Sequence, residues 1–401
     1  MTLSSSHSPV YLSSMGMVCA LGNSHQQILN NLLAGSREGM VPDQQLIPGK
    51  ELRLGRVTGK LAECNTDCSS EQSRNNQLLL TALTPVHPEV SRLIDTFGSD
   101  RIGIILGTST SGTLEAEVAM GHYLNNHHYP AGYDFRIQEM GDPSRFLARY
   151  LSITGPAYTV STACSSSGKV FASARNLIRS GICDAVIAGG VDSLCGLTIH
   201  GFSSLESVAD GYCQPFSDNR NGINLGEGAA LFTITREPAT IQLLGVGESS
   251  DAWHISAPHP EGTGAETAMQ AALADADLTT GDIHYLNLHG TATPLNDAME
   301  SQAVIRLFGA DTPCSSTKTM TGHTLGAAGA IEAGLSWLLL SDLNQQQKLP
   351  PHIADQPRDE TLAPINLVSD NATLPSQNPR IMSNSFAFGG SNVSVILGKQ
   401  L

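Results

Sequence analysis

The stretch Tyr158-Thr-Val-Ser-Thr-Ala-Cys164-Ser-Ser-Ser-Gly-Lys-Val-Phe-Ala decides how the rest of the chain is expected to fold. It predicts a short buried strand, a sharp turn that carries one cysteine, and a helix that runs to about Ser180. Small residues surround the sulfur, so another group can approach it and backbone N–H groups stay uncovered at the helix start. The positive end of a helix lowers the pKa of a nearby thiol. Cys164 is therefore a candidate nucleophile, and a buried structural cysteine is the alternative on this stretch alone.

The composition sets limits on size, partners and compartment. The chain has 401 residues, 40% of them hydrophobic, which is enough for a large core and two domain-sized units. A formal net charge of −15 argues against nucleic acid as a partner. The eight scattered cysteines form no disulfide framework, and the sequence has no secretory signal and no apolar run of membrane-spanning length. We therefore expect a cytoplasmic protein without a membrane span.

Apolar strands alternate with helical segments along the chain. The runs 101–107 and 184–190 are apolar without alternation, which is typical of strands covered on both faces. Crossovers between such strands predict α/β layers with largely parallel sheets. The segments 164–180 and 325–341 resemble each other, which suggests two similar halves. Residues 36–75 are interpreted as irregular.

Three further segments place polar groups directly after a predicted strand: His289-Gly-Thr-Ala-Thr-Pro294, Ser316-Thr-Lys318-Thr-Met-Thr-Gly-His323 and Asn384-Ser-Phe-Ala-Phe388-Gly-Gly390. Ligands bind at the carboxyl ends of parallel strands. One cysteine and two histidines on such loops fit thiol catalysis or a metal site, and the lack of closely spaced ligands disfavours metal. A cysteine–histidine hydrolase would usually need a third, orienting group. Glu300 could orient Lys318, which lies in an otherwise uncharged run.

Taken together, these motifs resemble those of the β-ketoacyl-[acyl-carrier-protein] synthases, the elongating condensing enzymes of the thiolase superfamily. The matching segments occur in the family's order: Thr162-Ala-Cys164-Ser-Ser-Ser, Ala188-Gly-Gly190, Asn224-Leu-Gly-Glu-Gly228, His289-Gly-Thr-Ala-Thr-Pro294, Lys318-Thr-Met-Thr-Gly-His323 and Asn384-Ser-Phe-Ala-Phe-Gly-Gly390. The resemblance implies a dimer of a thiolase-like α/β fold, with two duplicated halves in an αβαβα arrangement of five layers. The halves are expected at 1–245, with the nucleophilic cysteine, and at 246–401, with the His/His/Lys motifs.

The resemblance also implies a decarboxylative Claisen condensation. Cys164 would take an acyl chain from carrier-protein phosphopantetheine as a thioester, and backbone N–H groups of Cys164 and Phe388 would hold the oxyanion. His289 and His323 would bind the thioester carbonyl of malonyl carrier protein and stabilise the enolate left by decarboxylation, which gives a 3-oxoacyl product. Lys318 would tune the charge around His323, with Glu300 as its partner. Further matching positions are the oxyanion and gate loop Phe386, Ala387, Phe388 and Gly389, and the pantetheine contacts Thr291 and Thr293.

The implied partners and cofactors follow from the same family. The substrate carries its own phosphopantetheine, so no redox cofactor or catalytic metal is expected. A structural monovalent-cation site would use Asn287, Glu332, Ser383 and Asn384. The expected partners are an acyl carrier protein and a second subunit, either an identical copy or a related chain-length subunit. Because carrier proteins are acidic, a local basic patch is expected to dock them, and its candidates are Lys50, Arg53, Arg56, Lys60 and Arg74.

Departures from the family pattern favour a specialised pathway. Ala387 replaces the glycine usual between the two phenylalanines, an acid-rich turn reads Arg220-Asn221-Gly222, and 108–112 read Thr-Ser-Thr-Ser-Gly rather than a glycine-dense loop. We expect a type II system that makes a polyketide or polyene chain rather than housekeeping fatty acids. A degradative thiolase would need a second cysteine near the C-terminus, and 380–401 contain none. A non-catalytic chain-length subunit would be expected to lack Cys164.

Overall fold

The computed structural model describes residues 8–64, 72–369 and 371–399. The strands are β1 (Val10–Val18), β2 (Met40–Asp43), β3 (Leu52–Gly55), β4 (Ile102–Gly107), β5 (Ala157–Val160), β6 (Ala185–Asp192), β7 (Gly228–Thr235), β8 (Ile241–Ser250), β9 (Tyr285–Asn287), β10 (Pro313–Ser315), β11 (Asn366–Leu367), β12 (Arg380–Phe386) and β13 (Ser391–Lys399). The helices are α1 (His25–Leu33), α2 (Arg74–Leu83), α3 (His87–Phe97), α4 (Thr113–Asn126), α5 (Asp142–Tyr150), α6 (Ser166–Arg179), α7 (Gly196–Ser204), α8 (Thr263–Asp275), α9 (Pro294–Phe308), α10 (Lys318–Thr321) and α11 (Ala328–Leu340).

The central sheet consists of two strand groups joined at one narrow seam. Within the described residues its order is β11-β10-β9-β12-β13-β8-β1-β7-β6-β4-β5. The groups meet where β1 pairs with β8, and only Val10 and Tyr11 take part, opposite Leu243 and Gln242. Both groups are mixed rather than largely parallel: β4 is parallel to β5 and β6, whereas β7 is antiparallel to β6 and β1.

Five layers follow from which face of each strand is apolar. In the first group, Ile104 and Leu106 pack against α2, α3 and α5, while Ile105 faces the opposite, central layer. The central layer contains α6 and α11, and its apolar side chains contact strands of both groups. Helices α8 and α9 cover the outer face of the second group. The predicted αβαβα arrangement is confirmed.

The two central helices meet at their N-terminal ends, and glycine makes that approach possible. A Cβ atom on Gly329 would lie 2.6 Å from the backbone nitrogen of Gly168, which is closer than any side chain tolerates. Helix α11 is buried on nearly all sides, as expected for a helix that is apolar around its whole circumference. The loops that precede α6 and α11 are therefore brought face to face.

Some local expectations were wrong. The stretch interpreted as irregular contains the β2–β3 hairpin, in which Met40 pairs with Gly55. Helices α4 and α5 occupy 113–126 and 142–150, where no element was predicted. The division between residues 245 and 246 stays a prediction, since β8 runs across that point. No helix in the described part of the chain is long and apolar enough to cross a membrane.

Candidate active site

The turn after β5 holds Cys164 at the start of α6. Ala163 adopts φ 53°, a left-handed conformation that reverses the chain just before the cysteine. The turn is held by local hydrogen bonds: the Thr162 N–H donates to Ser166 Oγ at 2.8 Å, and Ser165 Oγ–H donates to the Thr162 carbonyl at 2.8 Å. The small side chains seen in the sequence thus build a tight turn with the sulfur at its tip.

The structure brings the predicted cysteine and both predicted histidines together. Cys164 Sγ lies 2.9 Å from His323 Nε2, and the two imidazole rings are 5.4 Å apart at an interplanar angle of 84°. One donor atom from each of the three residues lies within 4.8 Å of the other two. All three are buried, with 6% of Cys164 and 2% of each histidine exposed.

Backbone contacts fix the position of each histidine. His289 follows β9, and its N–H donates to Glu300 Oε1 at 2.7 Å while the Gly290 N–H donates to Oε2 at 2.7 Å. His323 is held through its backbone, because its N–H donates to the Asn224 carbonyl at 2.6 Å and its own carbonyl accepts the Gly226 N–H at 3.0 Å. The asparagine- and glycine-rich segment before β7 therefore supports the His323 loop.

Lys318 pairs with Glu332, which corrects the predicted Lys318–Glu300 pair. Lys318 Nζ lies 2.5 Å from Glu332 Oε1, and these side chains are 2% and 3% exposed. Glu300 is engaged elsewhere, because its two oxygens accept backbone N–H groups of the His289 loop. It supports the position of His289 instead.

Burial and the Lys318 cation decide the protonation states. Burial lowers the pKa of His289 and of His323 well below the ordinary value, and the Lys318 charge lowers both further. Both imidazoles are therefore neutral. Burial also raises the pKa of the Cys164 thiol to about 12, against the opposing effects of Lys318 and the Phe388 N–H. The predicted lowering of this pKa by the helix start was wrong, because desolvation outweighs it.

The three groups face a cavity of about 260 Å³ that opens to the surface. Phe386, Ala387 and Phe388 form one wall, and Thr291 and Thr293 line the cavity with their hydroxyl oxygens 3.0 Å apart. The gate loop is held to a neighbouring segment, since the Gly389 N–H donates to the Ile255 carbonyl at 2.9 Å. Five of the predicted gate and pantetheine residues, all except Gly389, thus border the same cavity as the sulfur.

Of the four residues predicted to hold a cation, Asn287 and Ser383 contact each other, and several are engaged with other groups. Asn287 Nδ2–H donates to Ser383 Oγ at 3.3 Å, and Asn384 Oδ1 accepts the Ser394 hydroxyl at 2.8 Å. Glu332 uses one oxygen for Lys318, and its Oε2 is buried without a hydrogen-bond partner in the described residues.

Each of the predicted docking residues contacts a neighbouring acid or carbonyl. Arg74 forms an ion pair with Glu227, whose side chain is 0% exposed. Arg74 is therefore not a free cation for docking a carrier protein. Arg53 and Arg56 pair with Glu51 and Asp43, and Lys60 lies 3.6 Å from Glu63. Lys50 Nζ donates to the Val208 carbonyl at 3.3 Å, and the two residues before Val208, Glu206 and Ser207, line the cavity.

Sequence reasoning missed Asp192. This fully buried carboxylate ends β6 and accepts hydrogen bonds from the loop after β4 and from the turn before α11. The signal was present in the sequence, since Asp192 is the first acidic residue after the apolar run 184–190. The same strand-end argument that selected the other loops would have found it.

Comparison with known proteins agrees with this geometry. Family models for the N-terminal and C-terminal domains of β-ketoacyl synthases match residues 7–239 and 240–354. A 3-oxoacyl-[acyl-carrier-protein] synthase 2 of Staphylococcus aureus (strain COL) is 32% identical over 321 residues, which are 75% of this chain and 76% of that protein.

Two solved complexes are also similar. A chain of the ketosynthase ApeO in complex with its chain length factor ApeC from Xenorhabdus doucetiae superposes with a TM-score of 0.91 at 46% identity, covering 100% of both chains. A chain of the ishigamide ketosynthase/chain length factor superposes with a TM-score of 0.84 at 25% identity, covering 98% of this chain and 99% of that chain. The chain therefore belongs to the β-ketoacyl synthase family of acyltransferase condensing enzymes.

Proposed function

We propose that this chain condenses a Cys164-bound acyl group with malonyl-[acyl-carrier protein], releasing carbon dioxide and 3-oxoacyl-[acyl-carrier protein]. The observation that carries the proposal is one buried thiol facing two buried, neutral imidazoles at the end of a cavity. A metal ion on the same three donors is disfavoured, because the nearby Lys318 cation opposes positive charge at both rings.

The first half-reaction loads the cysteine. The Cys164 thiol gives its proton to His323 Nε2 as Sγ attacks the thioester carbonyl of the acyl carrier protein. The backbone N–H groups of Cys164 and Phe388, both directed at the sulfur, hold the oxyanion of the tetrahedral intermediate. Its collapse breaks the old carbon–sulfur bond, and the departing pantetheine thiolate takes the proton back from His323.

The second half-reaction forms the carbon–carbon bond. The malonyl carboxylate leaves as carbon dioxide, and its bonding electron pair forms an enolate whose oxygen accepts N–H bonds from His289 and His323. Loading returns the Nε2 proton of His323 to pantetheine, so His323 donates from Nε2 after its Nδ1 proton has exchanged with solvent and Nε2 has taken one up. Neither ring has a hydrogen bond at Nδ1 among the described residues, so no contact there opposes this change of tautomer. The enolate carbon attacks the Cys164 thioester, and the released thiolate takes a proton from solvent.

Alternative functions have less support. A degradative thiolase needs a second catalytic cysteine, and Cys164 is the one cysteine among the described residues that line this cavity. A non-catalytic chain-length subunit would not require the assembled Cys164–His323 pair or the buried Lys318–Glu332 pair.

A specialised polyketide or polyene pathway is proposed for the chain, with a chain-length subunit as its partner. Full-length similarity to two ketosynthase/chain length factor complexes supports this choice. So does the first strand group, where β5 is the edge strand and large apolar side chains such as Val118, Leu124 and Phe135 are more than half exposed. An exposed edge strand and exposed large apolar side chains are each suited to a protein partner.

The site also bears on the need for a cofactor and for a structural cation. The substrate brings phosphopantetheine, so no separate cofactor is needed, and Glu332 Oε2 is the atom left available for a structural monovalent cation. Equal thermal stability in potassium and in N-methylglucamine buffers would argue against that cation. The cytoplasmic location stays a prediction.

Carrier-protein docking is proposed at Lys50, which donates to a carbonyl directly after two cavity-lining residues. Reversing its charge with Lys50→Glu is expected to raise KM for the carrier protein, because the acidic partner loses a favourable charge contact. Alkylation of Cys164 by a small reagent should not change. Lys60→Glu is the matched control, since Lys60 lines a separate groove with Asn23 and Thr84. Equal KM changes in both variants would contradict the assignment.

Mass spectrometry of carrier-bound products tests the function itself. The chain, with and without a candidate chain-length subunit, is incubated with acyl and malonyl carrier protein. We expect 3-oxoacyl products that lengthen into polyketide or polyene intermediates only when the partner is present. A general preference of the chain alone for saturated fatty acyl groups would refute the specialised pathway, and the absence of any 3-oxoacyl product would refute condensation.

A further inference from the structure

We propose that Asp192 is a positioning residue, which fixes the His323 loop against the helix that carries Cys164. Asp192 touches neither reacting group. It lies at the end of β6, fully buried, between the loop after β4 and the turn before α11. The inference rests on the proposed condensation only for its kinetic readout.

Five donors converge on this carboxylate, and none of them is charged. Oδ1 accepts the hydroxyls of Thr108 and Thr110 at 2.8 and 2.7 Å, and the N–H groups of Ser109 and Thr110 at 2.8 Å each. Oδ2 accepts the Ala327 N–H at 2.9 Å. A buried carboxylate held only by neutral donors is a demanding arrangement, because every lost bond leaves a desolvated charge without compensation.

The Ala327 bond connects Asp192 to the imidazole. Ala327 ends the short 3-10 helix Leu325–Ala327, which joins His323 to α11. Leu325 holds a left-handed conformation at φ 49°, so this turn is strained and needs contacts that define it. Asp192 supplies one, because its Oδ2 shares the Ala327 N–H with the Thr324 carbonyl, at 2.9 and 3.0 Å.

The β4 loop connects the same carboxylate to the cysteine. At the end of β4, a Cβ on Gly107 would lie 2.4 Å from the backbone nitrogen of Ser167 in α6. The same loop is also bonded to the 137–139 backbone, because Ser111 Oγ–H donates to the carbonyls of Ile137 and Glu139 at 3.0 and 2.9 Å. Asp192 thus joins the segment packed on the Cys164 helix to the segment that follows His323.

This arrangement gives a role to a departure from the family pattern. The Thr108-Ser109-Thr110-Ser111 stretch stands where relatives of this family usually have a glycine-dense loop. The hydroxyls of Thr108 and Thr110 bond Asp192, and that of Ser111 bonds the 137–139 backbone. In this chain the loop is therefore held by side chains, and Asp192 is the acceptor on which they converge.

Asp192→Asn is the direct test. Asparagine keeps the shape but replaces one acceptor oxygen with an NH₂ group, which cannot accept the Ala327 N–H. We expect kcat for condensation to fall about 10- to 100-fold at similar KM, since small displacements of reacting groups have effects of that order. We also expect the pH profile of Cys164 alkylation by iodoacetamide to move to higher pH, because the thiol loses a well-placed imidazole acceptor.

Asp275→Asn is the matched control. Asp275 accepts the Val246 N–H at 2.8 Å and pairs with Arg175, away from the catalytic loops. The proposal holds if Asp192→Asn changes kcat and the alkylation profile while Asp275→Asn, at comparable loss of Tm, changes neither. It is overturned if Asp192→Asn lowers Tm only.

Thr108→Val covers the case in which Asp192→Asn does not fold. This substitution removes one hydroxyl bond to Asp192 Oδ1 and leaves the carboxylate in place. We expect a smaller shift of the alkylation profile in the same direction. An unchanged alkylation profile would overturn the proposal. Alkylation needs no carrier protein. A shifted profile in a chain that forms no 3-oxoacyl product would therefore refute the proposed function and leave the positioning role intact.

Discussion

Replacing Cys164 by glutamine is expected to abolish condensation while decarboxylation of malonyl carrier protein continues. The amide cannot form a thioester, so no acyl group is held for attack. Its carbonyl can occupy the position of an acylated cysteine, where the Cys164 and Phe388 N–H groups point. His289 and His323 keep their positions because backbone contacts hold their loops.

The experiment measures carbon dioxide release and 3-oxoacyl product in parallel. Cys183→Ser is the control, because Cys183 is also buried but does not line the catalytic cavity, and it should retain both activities. If Cys164→Gln lost both decarboxylation and condensation at unchanged Tm, that result would contradict the separate roles of the thiol and the imidazoles.

Lys318→Met is expected to cause the largest loss of stability. It leaves the Glu332 carboxylate buried without its cation, and breaking a buried ion pair from one side costs about 3–5 kcal/mol of unfolding free energy. Combining it with Glu332→Leu should recover most of that loss, since replacing both charges leaves no uncompensated ion. Urea denaturation measures each variant.

Removing Lys318 should also change the pH dependence of activity. The Lys318 charge helps to lower the pKa of both catalytic histidines, so its loss lets those pKa values rise. The histidines must be neutral, and the acid limb of kcat/KM should therefore move to higher pH.

Lys399→Met is the surface control for the Lys318 prediction. Its partner Asp342 is 87% exposed, and a change within about 1 kcal/mol is expected. A similarly small change in the unfolding free energy for Lys318→Met would contradict the predicted contribution of the buried Lys318–Glu332 pair to stability.

The layers and the three catalytic loops could be predicted because they depend on local patterns. Apolar runs without alternation mark covered strands, and polar residues directly after them mark one edge of a sheet. His289 and His323 were found in this way, Cys164 was selected by the small residues around it at a helix start, and the resemblance of the motifs supplied their roles.

What could not be predicted depends on distances between segments far apart in sequence. Glu332 meets Lys318 across the turn between α10 and α11, and nothing in the sequence distinguishes it from Glu300 as a partner. The Cys164 pKa depends on the depth of burial, which no sequence window reports. Helix α4 was missed because one buried residue, Ala119, provides little apolar periodicity.

The contact between Gly168 and Gly329 has a consequence for reactivity. The electrophile is bound to the turn before α6, whereas one of the rings that hold the attacking carbon comes from the loop before α11. The spacing of the two reactants is therefore a property of the junction between these helices. Added bulk at that junction, such as a single methyl group, would lengthen the path to the new bond without altering any chemical group that takes part in forming it.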